Sequence, residues 1–248
     1  MSLMHQSVDQ ISLQEWHDYA SGFDERHVFH HRGWIQTLQA TYHFPLRIYA
    51  MRELETGKIL TALPFMRVFS IQGKRKWICL PFTDFFPVFG DIEKTVQMVK
   101  YLHETGELKG ELEIRFELPE DQAFHYSTHQ VAHHIDLTVD PEKLQEGFGR
   151  SHRQAIRQSN KRGVTVDFKN SLEAIEYFYQ LQLQTRQQKG LPTQPWRFFK
   201  NLYKFLIKDG KNGCIALAKN KFVCIGGEVN LYWGNILTGK YSASDYSY

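Results

Sequence analysis

GCIALAKNKFVCIGGEVNLYW, residues 213–233, reads as one β-hairpin, two runs rich in strand formers that turn on Asn220 and Lys221. Upstream, SLEAIEYFYQLQLQTRQQ (171–188) is a helix opened by Ser171, with Glu173 and Glu176 in or near its first turn. GLPTQP (190–195) breaks it, and WRFFKNLYKFLIK (196–208) forms a second helix. Downstream, ILTGKYSAS (236–244) is a third strand. The first half carries the same order. ISLQEWHDYASGF (11–23) and RGWIQTLQATY (32–42) space Ile11, Leu13, Trp16 and Tyr19, then Trp34, Ile35, Leu38 and Tyr42, at helical period. LRIYAMRE (46–53) and KILTALPFMRVF (58–69) are strands around an ETGK turn, and KRKWICLPF (74–82) is the third. Helix, helix, strand, turn, strand, strand occurs twice, which predicts an α/β protein of two like units.

Between the two series, IEKTVQMVKYLHETG (92–106) is a helix stopped by Gly106, and ELEIRFEL (111–118) and HHIDLTV (133–139) alternate as strands. VDPEK (139–143) offers a proline and an acidic helix start, so the boundary is drawn between residues 137 and 138. Just beyond it, GRSHRQAIRQSNKRGVTV (149–166) holds five cations in its first fifteen positions and no carboxylate. At helical period Arg150, Arg153, Arg157 and Lys161 stack into one stripe, backed by Phe148, His152, Ala155 and Ser159. Like charges four apart repel by a few tenths of a kcal/mol per pair, so the stripe calls for an anionic partner. A solvated surface face and a set of salt bridges between units are the plainer readings.

Bulk composition narrows the class. Of 248 residues, 42% are apolar, 23% charged and 14% aromatic, which describes a folded chain with ample core. The net charge of +3 comes from 30 basic and 27 acidic residues; without the five cations of that stretch, 25 face 27. The positive field is therefore local, which argues for a site and against a DNA-binding surface. Cys79, Cys214 and Cys224 show no paired spacing and sit in apolar runs, and no stretch has the length of a membrane span or the form of a signal peptide. A cytoplasmic location is expected. His30-His31 and His133-His134 are adjacent pairs without completing ligands, so no metal site is expected.

RSHRQAIRQSNKRGVTV, FYQLQLQTRQQKGLPTQPWRFF (178–199) and the hairpin LAKNKFVCIGGEV (217–229), in that order, resemble the second domain of FemAB-like proteins, double-domain members of the GNAT acyltransferase superfamily. FHHRGWIQTLQATY (29–42), TALPF (61–65) and LPFTDFFPVFG (80–90) resemble the family's first domain. The resemblance implies two GNAT-like domains, 1–137 and 138–248, meeting at a cleft. It implies transfer of an acyl or aminoacyl group to an amine, in this family on a cell-envelope or polysaccharide precursor. No tightly bound cofactor is expected; the donor is a co-substrate, either acyl-CoA or aminoacyl-tRNA. By family expectation a helix and further strands follow the third strand of the second domain, which here ends at YSASDYSY. An acetyl-CoA enzyme of this superfamily carries a Q/R-x-x-G-x-G/A loop; the nearest string, QQKGLP (187–192), ends in proline between two helices. The lysine that some relatives carry just after the first-domain tryptophan is also absent, since Trp34 is followed by IQTL.

Amide formation needs a deprotonated amine, a polarised carbonyl, and both held in place. Polarisation is expected from a backbone N–H on a central strand. Asp84, in LPFTDFF, is the candidate base, because a carboxylate amid aromatics in a cleft has a raised pKa; a turn aspartate bonding its own backbone is the alternative. Arg150, Arg153, Arg157 and Lys161, extended by Arg186, are candidates for holding phosphate on a small-molecule or glycan precursor, or on a charged tRNA. Trp34, Phe82 and Phe85 are candidate cleft-lining rings. Two rival functions remain at this level: a non-catalytic binder of an anionic glycan precursor or RNA, and an acetyl-CoA-dependent acetyltransferase.

Overall fold

A computed structural model describes residues 5–69, 73, 75–116, 125 and 131–247. Two sheets organise the chain. The first has the order β1-β2-β3-β4-β5, built from Gln6–Gln10, Leu46–Glu53, Ile59–Phe69, Arg75–Ile78 and Glu111–Glu113; the second has the order β6-β7-β8-β9, built from Val164–Lys169, Gly213–Asn220, Val223–Trp233 and Ile236–Ser244. All neighbours are antiparallel except β5, which runs parallel to β4. Helices α1 (Leu13–Ser21) and α2 (Arg32–Tyr42) lie between β1 and β2, and α6 (Leu172–Gln188) and α7 (Trp196–Leu202) lie between β6 and β7. Each half is therefore strand, two helices and three strands, with its opening strand added to the edge of its own hairpin. Helix α3 (Ile92–Glu104) follows β4, and α4 (Pro141–Gly147) and α5 (Arg150–Lys161) lead into β6.

Local chemistry sets the helix ends. Ser12, Asp91 and Ser171 cap α1, α3 and α6 by accepting backbone N–H bonds from Glu15, from Glu93 and Lys94, and from Ala174. Helix α2 stops at His43, which takes a left-handed conformation with φ 55°. Helix α7 passes into a π-helical turn, Tyr203–Ile207, that packs with it against α2. The approach there is close: a Cβ on Gly33 would collide with the backbone oxygen of Phe205. Trp34 meets Phe198 edge to face at 6.0 Å, and Arg197 and Asn201 of α7 donate to the backbone and side-chain oxygens of Thr41. The buried apolar residues of the two halves form one continuous core.

Some expectations are corrected. HHIDLTV forms no strand: all seven residues are exposed, and Asp136 instead turns the chain by accepting from the backbone and hydroxyl of Thr138. ELEIRFEL is strand only over Glu111–Glu113, and its last two residues fall outside the described ones. The hairpin turns one residue later than expected, on Lys221 and Phe222.

Candidate functional site

The loop CLPFTDFFPVFG, residues 79–90, runs between β4 and α3 and is tied at many points. Arg115, ion-paired with Glu113 at 2.7 Å, donates to the carbonyl of Thr83 at 2.6 Å. The Trp34 indole N–H donates to the Thr83 hydroxyl at 2.9 Å, and Tyr19 donates to the carbonyl of Phe89 at 3.1 Å. Phe86 is buried against Trp16 and His30. Within this frame Leu80 and Phe82 hold φ values of 57° and 60°. Such left-handed non-glycine residues cost about 1–3 kcal/mol each and persist where the surroundings over-determine them. The strapped loop presents Asp84.

Its partner comes from the other half. Along β9 the side chains alternate until Gly239, where a β-bulge opposite Val229 and Asn230 leaves Lys240 as the extra residue. The bulge turns both Lys240 and Tyr241 inward, the way bulges re-aim side chains beside functional sites. A Cβ on Gly239 would meet the tip of the exposed Glu228 side chain, which can swing aside. Lys240 crosses the seam between the halves and donates to Asp84 Oδ1 at 2.7 Å and to the carbonyl of Phe82 at 2.9 Å. Its ammonium lies 5.0, 5.6 and 5.4 Å from the ring centres of Phe29, Trp34 and Tyr241. The Lys240 side chain is 5% exposed, whereas that of Asp84 is 62% exposed. Burial lowers the Lys240 pKa, and the charge and hydrogen bond of Asp84 oppose that shift. The pair is thus a desolvated cation beneath a carboxylate whose other oxygen faces solvent.

The sequence-predicted residues divide into two groups. Asp84, Trp34, Phe82, Phe85 and Arg186 lie along the seam, though not all in the expected way. Asp84 is not enclosed by aromatics; it is solvent-facing and paired. Trp34 is fully buried and lines no cleft, because its indole supports the loop from beneath. Phe82 is partly exposed and stacks on Tyr42 at 4.9 Å, and Phe85 meets His27 edge to face at 5.0 Å. Arg186 is half-buried near β9, where its charge bears on the Tyr241 phenol and its neighbour Thr185 bonds Ser244. Arg150, Arg153, Arg157 and Lys161 form the second group, on a helix that buries none of its residues and packs on β6. Among the described residues no carboxylate pairs with any of the four, so they are not the salt-bridge set considered above. Arg153 donates to the carbonyl of Glu146 in α4. Replacing Arg153 or Arg157 with alanine is expected to leave the melting temperature within a degree or so of wild type, measured by calorimetry, because neither side chain is part of the core.

Sequence reasoning missed Lys240 and the imidazole and hydroxyl behind it, His27 and Thr238, which meet across the seam at 2.9 Å. A signal was present: TGK inside a strand pattern places a glycine where a bulge is expected. No group of three or more metal-ligating side chains occurs among the described residues, and none of their helices is long and apolar enough to cross a membrane.

No family model and no curated protein matches the sequence. Among solved structures, the crystal structure of FemX resembles this chain with a TM-score of 0.67 at 14% identity, over 98% of this chain and 81% of that one. The likeness spans both sheets and the seam between them, and establishes the fold.

Proposed function

We propose that the chain is a Fem-type acyltransferase that moves an acyl or aminoacyl group onto an amine at the Asp84–Lys240 pair. One observation carries the reading: a solvent-facing carboxylate of the first half and a buried ammonium of the second meet at 2.7 Å across the seam of a FemX-like fold. In the reaction the amine nitrogen attacks the acyl carbonyl carbon, its proton passes to the Asp84 carboxylate, and the donor's C–O or C–S bond breaks. The proton then goes to the leaving oxygen or sulfur. Lys240 has three N–H groups, two of them engaged by Asp84 and Phe82; in this reading the third donates to the oxygen that becomes negative in the tetrahedral intermediate. The repeated unit fits two GNAT-like domains divided between residues 137 and 138, with the donor arriving as a thioester of coenzyme A or an aminoacyl ester of tRNA.

The finer part of the reading concerns the acceptor. Among the described residues Arg150, Arg153, Arg157 and Lys161 have no carboxylate partner, and phosphate on a cell-envelope precursor is the chemistry that suits them. Losing one charge-assisted bond weakens binding by about tenfold, so Arg153→Ala or Arg157→Ala should raise the Kd for a phosphorylated acceptor by about that factor. The test of the whole is turnover: wild-type protein with acyl-CoA and aminoacyl-tRNA donors against a panel of amines, followed by mass spectrometry. Amide formation that disappears in Asp84→Asn supports the reading. Binding of a phosphorylated ligand with no turnover by any donor supports the non-catalytic alternative.

A further inference from the structure

HVFHH, residues 27–31, forms a short 3-10 turn around Val28–His30. We propose that His27 and His30 are positioning residues of the seam site, two neutral imidazoles on one turn that hold the strand carrying Lys240 and the loop carrying Asp84. The inference rests on the transferase reading only in calling the Asp84–Lys240 pair the site.

The hydrogen bonds assign the tautomers. His27 Nδ1 accepts from the backbone N–H of Phe29 at 3.4 Å, and His30 Nδ1 accepts from the backbone N–H of His27 at 3.1 Å. A ring nitrogen that accepts carries no proton, so in each neutral ring the proton sits on Nε2. Both Nε2–H groups point away from the turn. That of His27 donates to the Thr238 hydroxyl at 2.9 Å, two residues before Lys240; that of His30 donates to the carbonyl of Pro87 at 2.8 Å, three residues after Asp84. One rigid turn thereby references both partners of the pair, although they belong to different halves of the chain.

Packing keeps the rings in place. His27 is buried between Phe29 and Phe85, and His30 among Trp16, Phe86 and Phe89. The charged and titratable groups that bear on His27 are Asp84, Lys240 and His134, and the one that bears on His30 is His27. Burial is the largest influence on both and keeps both neutral. A protonated His27 would lose its Nδ1 acceptor and set a cation beside Lys240.

The test uses the full chain and three variants. His27→Phe keeps the ring and removes the donor, Thr238→Val removes the acceptor while remaining a strand former, and His27→Gln keeps an amide N–H near the Nε2 position. In the first two, turnover should fall about tenfold to a hundredfold, the usual effect of groups that orient a reacting set. His27→Gln should recover most of it. A second readout needs no turnover: acetylation of Lys240 by acetic anhydride, followed by mass spectrometry, should speed up severalfold relative to the other lysines in His27→Phe and Thr238→Val as β9 loosens. Wild-type Lys240 labelling in both variants overturns the proposal, whatever the turnover assay shows. Loss that His27→Gln fails to recover also overturns it, because it would assign His27 to packing alone. Thr238→Val changes nothing in the first half, so it decides the matter where a His27 variant does not fold. Altered labelling with no turnover from any donor would sink the transferase reading and leave the positioning role standing.

Discussion

Lys240→Met is expected to keep the fold and lose turnover by about a hundredfold to a thousandfold, the effect of removing one donor to a developing oxyanion. Asp84→Ala is expected to lose both turnover and stability. The asymmetry follows from burial. Methionine matches the lysine stem among Phe29, Trp34 and Tyr241, and the Asp84 left behind already faces water. Exchanging a buried ion for an apolar side chain of similar volume is commonly neutral or stabilising. Removing Asp84 instead leaves a nearly buried ammonium with the Phe82 carbonyl as its remaining hydrogen-bond acceptor and no counter-charge. That costs about 1–3 kcal/mol, moderated because the lysine can shed its proton. For a chain of this length such a loss lowers Tm by about 2–10 °C. Calorimetry on the two variants decides it: a Lys240→Met protein that melts well below Asp84→Ala would mean that the ammonium, rather than the carboxylate, holds the seam together, and the buried-cation description would be wrong.

The elements that were plain in the sequence are those whose side chains meet two different environments. Helix α2 was bounded at Arg32 and Tyr42 because Trp34, Ile35 and Leu38 face the core while Gln36 and Gln39 do not. Strands β2, β3 and β7–β9 were equally plain. QSVDQ and VTVDFK escaped as β1 and β6, since polar edge strands paired on one side show little hydrophobic contrast. Asp84 stood out by its aromatic neighbours. Lys240 did not, because nothing local marks which face of β9 meets the other half: alternation groups residue 240 with Ile236 and Thr238, and only the register with β8 shows that Tyr241 turns inward beside it. The cationic stripe was legible as a helix but not as a location. Its back, with His152, Ala155 and Ser159, has too little apolar surface to choose a partner, and α5 accordingly buries nothing. A site shared by two halves is the part least visible in sequence, since no local pattern records that residues 84 and 240 touch.

Acid is expected to undo this seam well above the range in which carboxylates titrate. Burial holds His27 at about 4, His30 at about 3 and His31 at about 4, and it also lowers His17. In the unfolded chain each returns to about 6.5. The folded pKa values are the lower ones, so between the two the unfolded state binds more protons, and stability falls as pH falls. The stabilisation is complete above about pH 6.5 and declines on the way to about pH 4, by up to about 1.4 kcal/mol per pH unit for each histidine. His27 and His30 both act in this direction over that window, each by an amount on the order of a few kcal/mol at most. Urea unfolding at pH 7, 6, 5 and 4 should show the midpoint dropping steeply from one step to the next. His27→Gln, which does not titrate, should flatten the slope by about a histidine's share. A midpoint that stays level from pH 6.5 to pH 5 would mean that these imidazoles accept protons in the folded state, and would contradict the assignment of their Nδ1 atoms as acceptors. The same window bears on catalysis, because an opened seam separates Asp84 from Lys240. Turnover should therefore fall along with the urea midpoint.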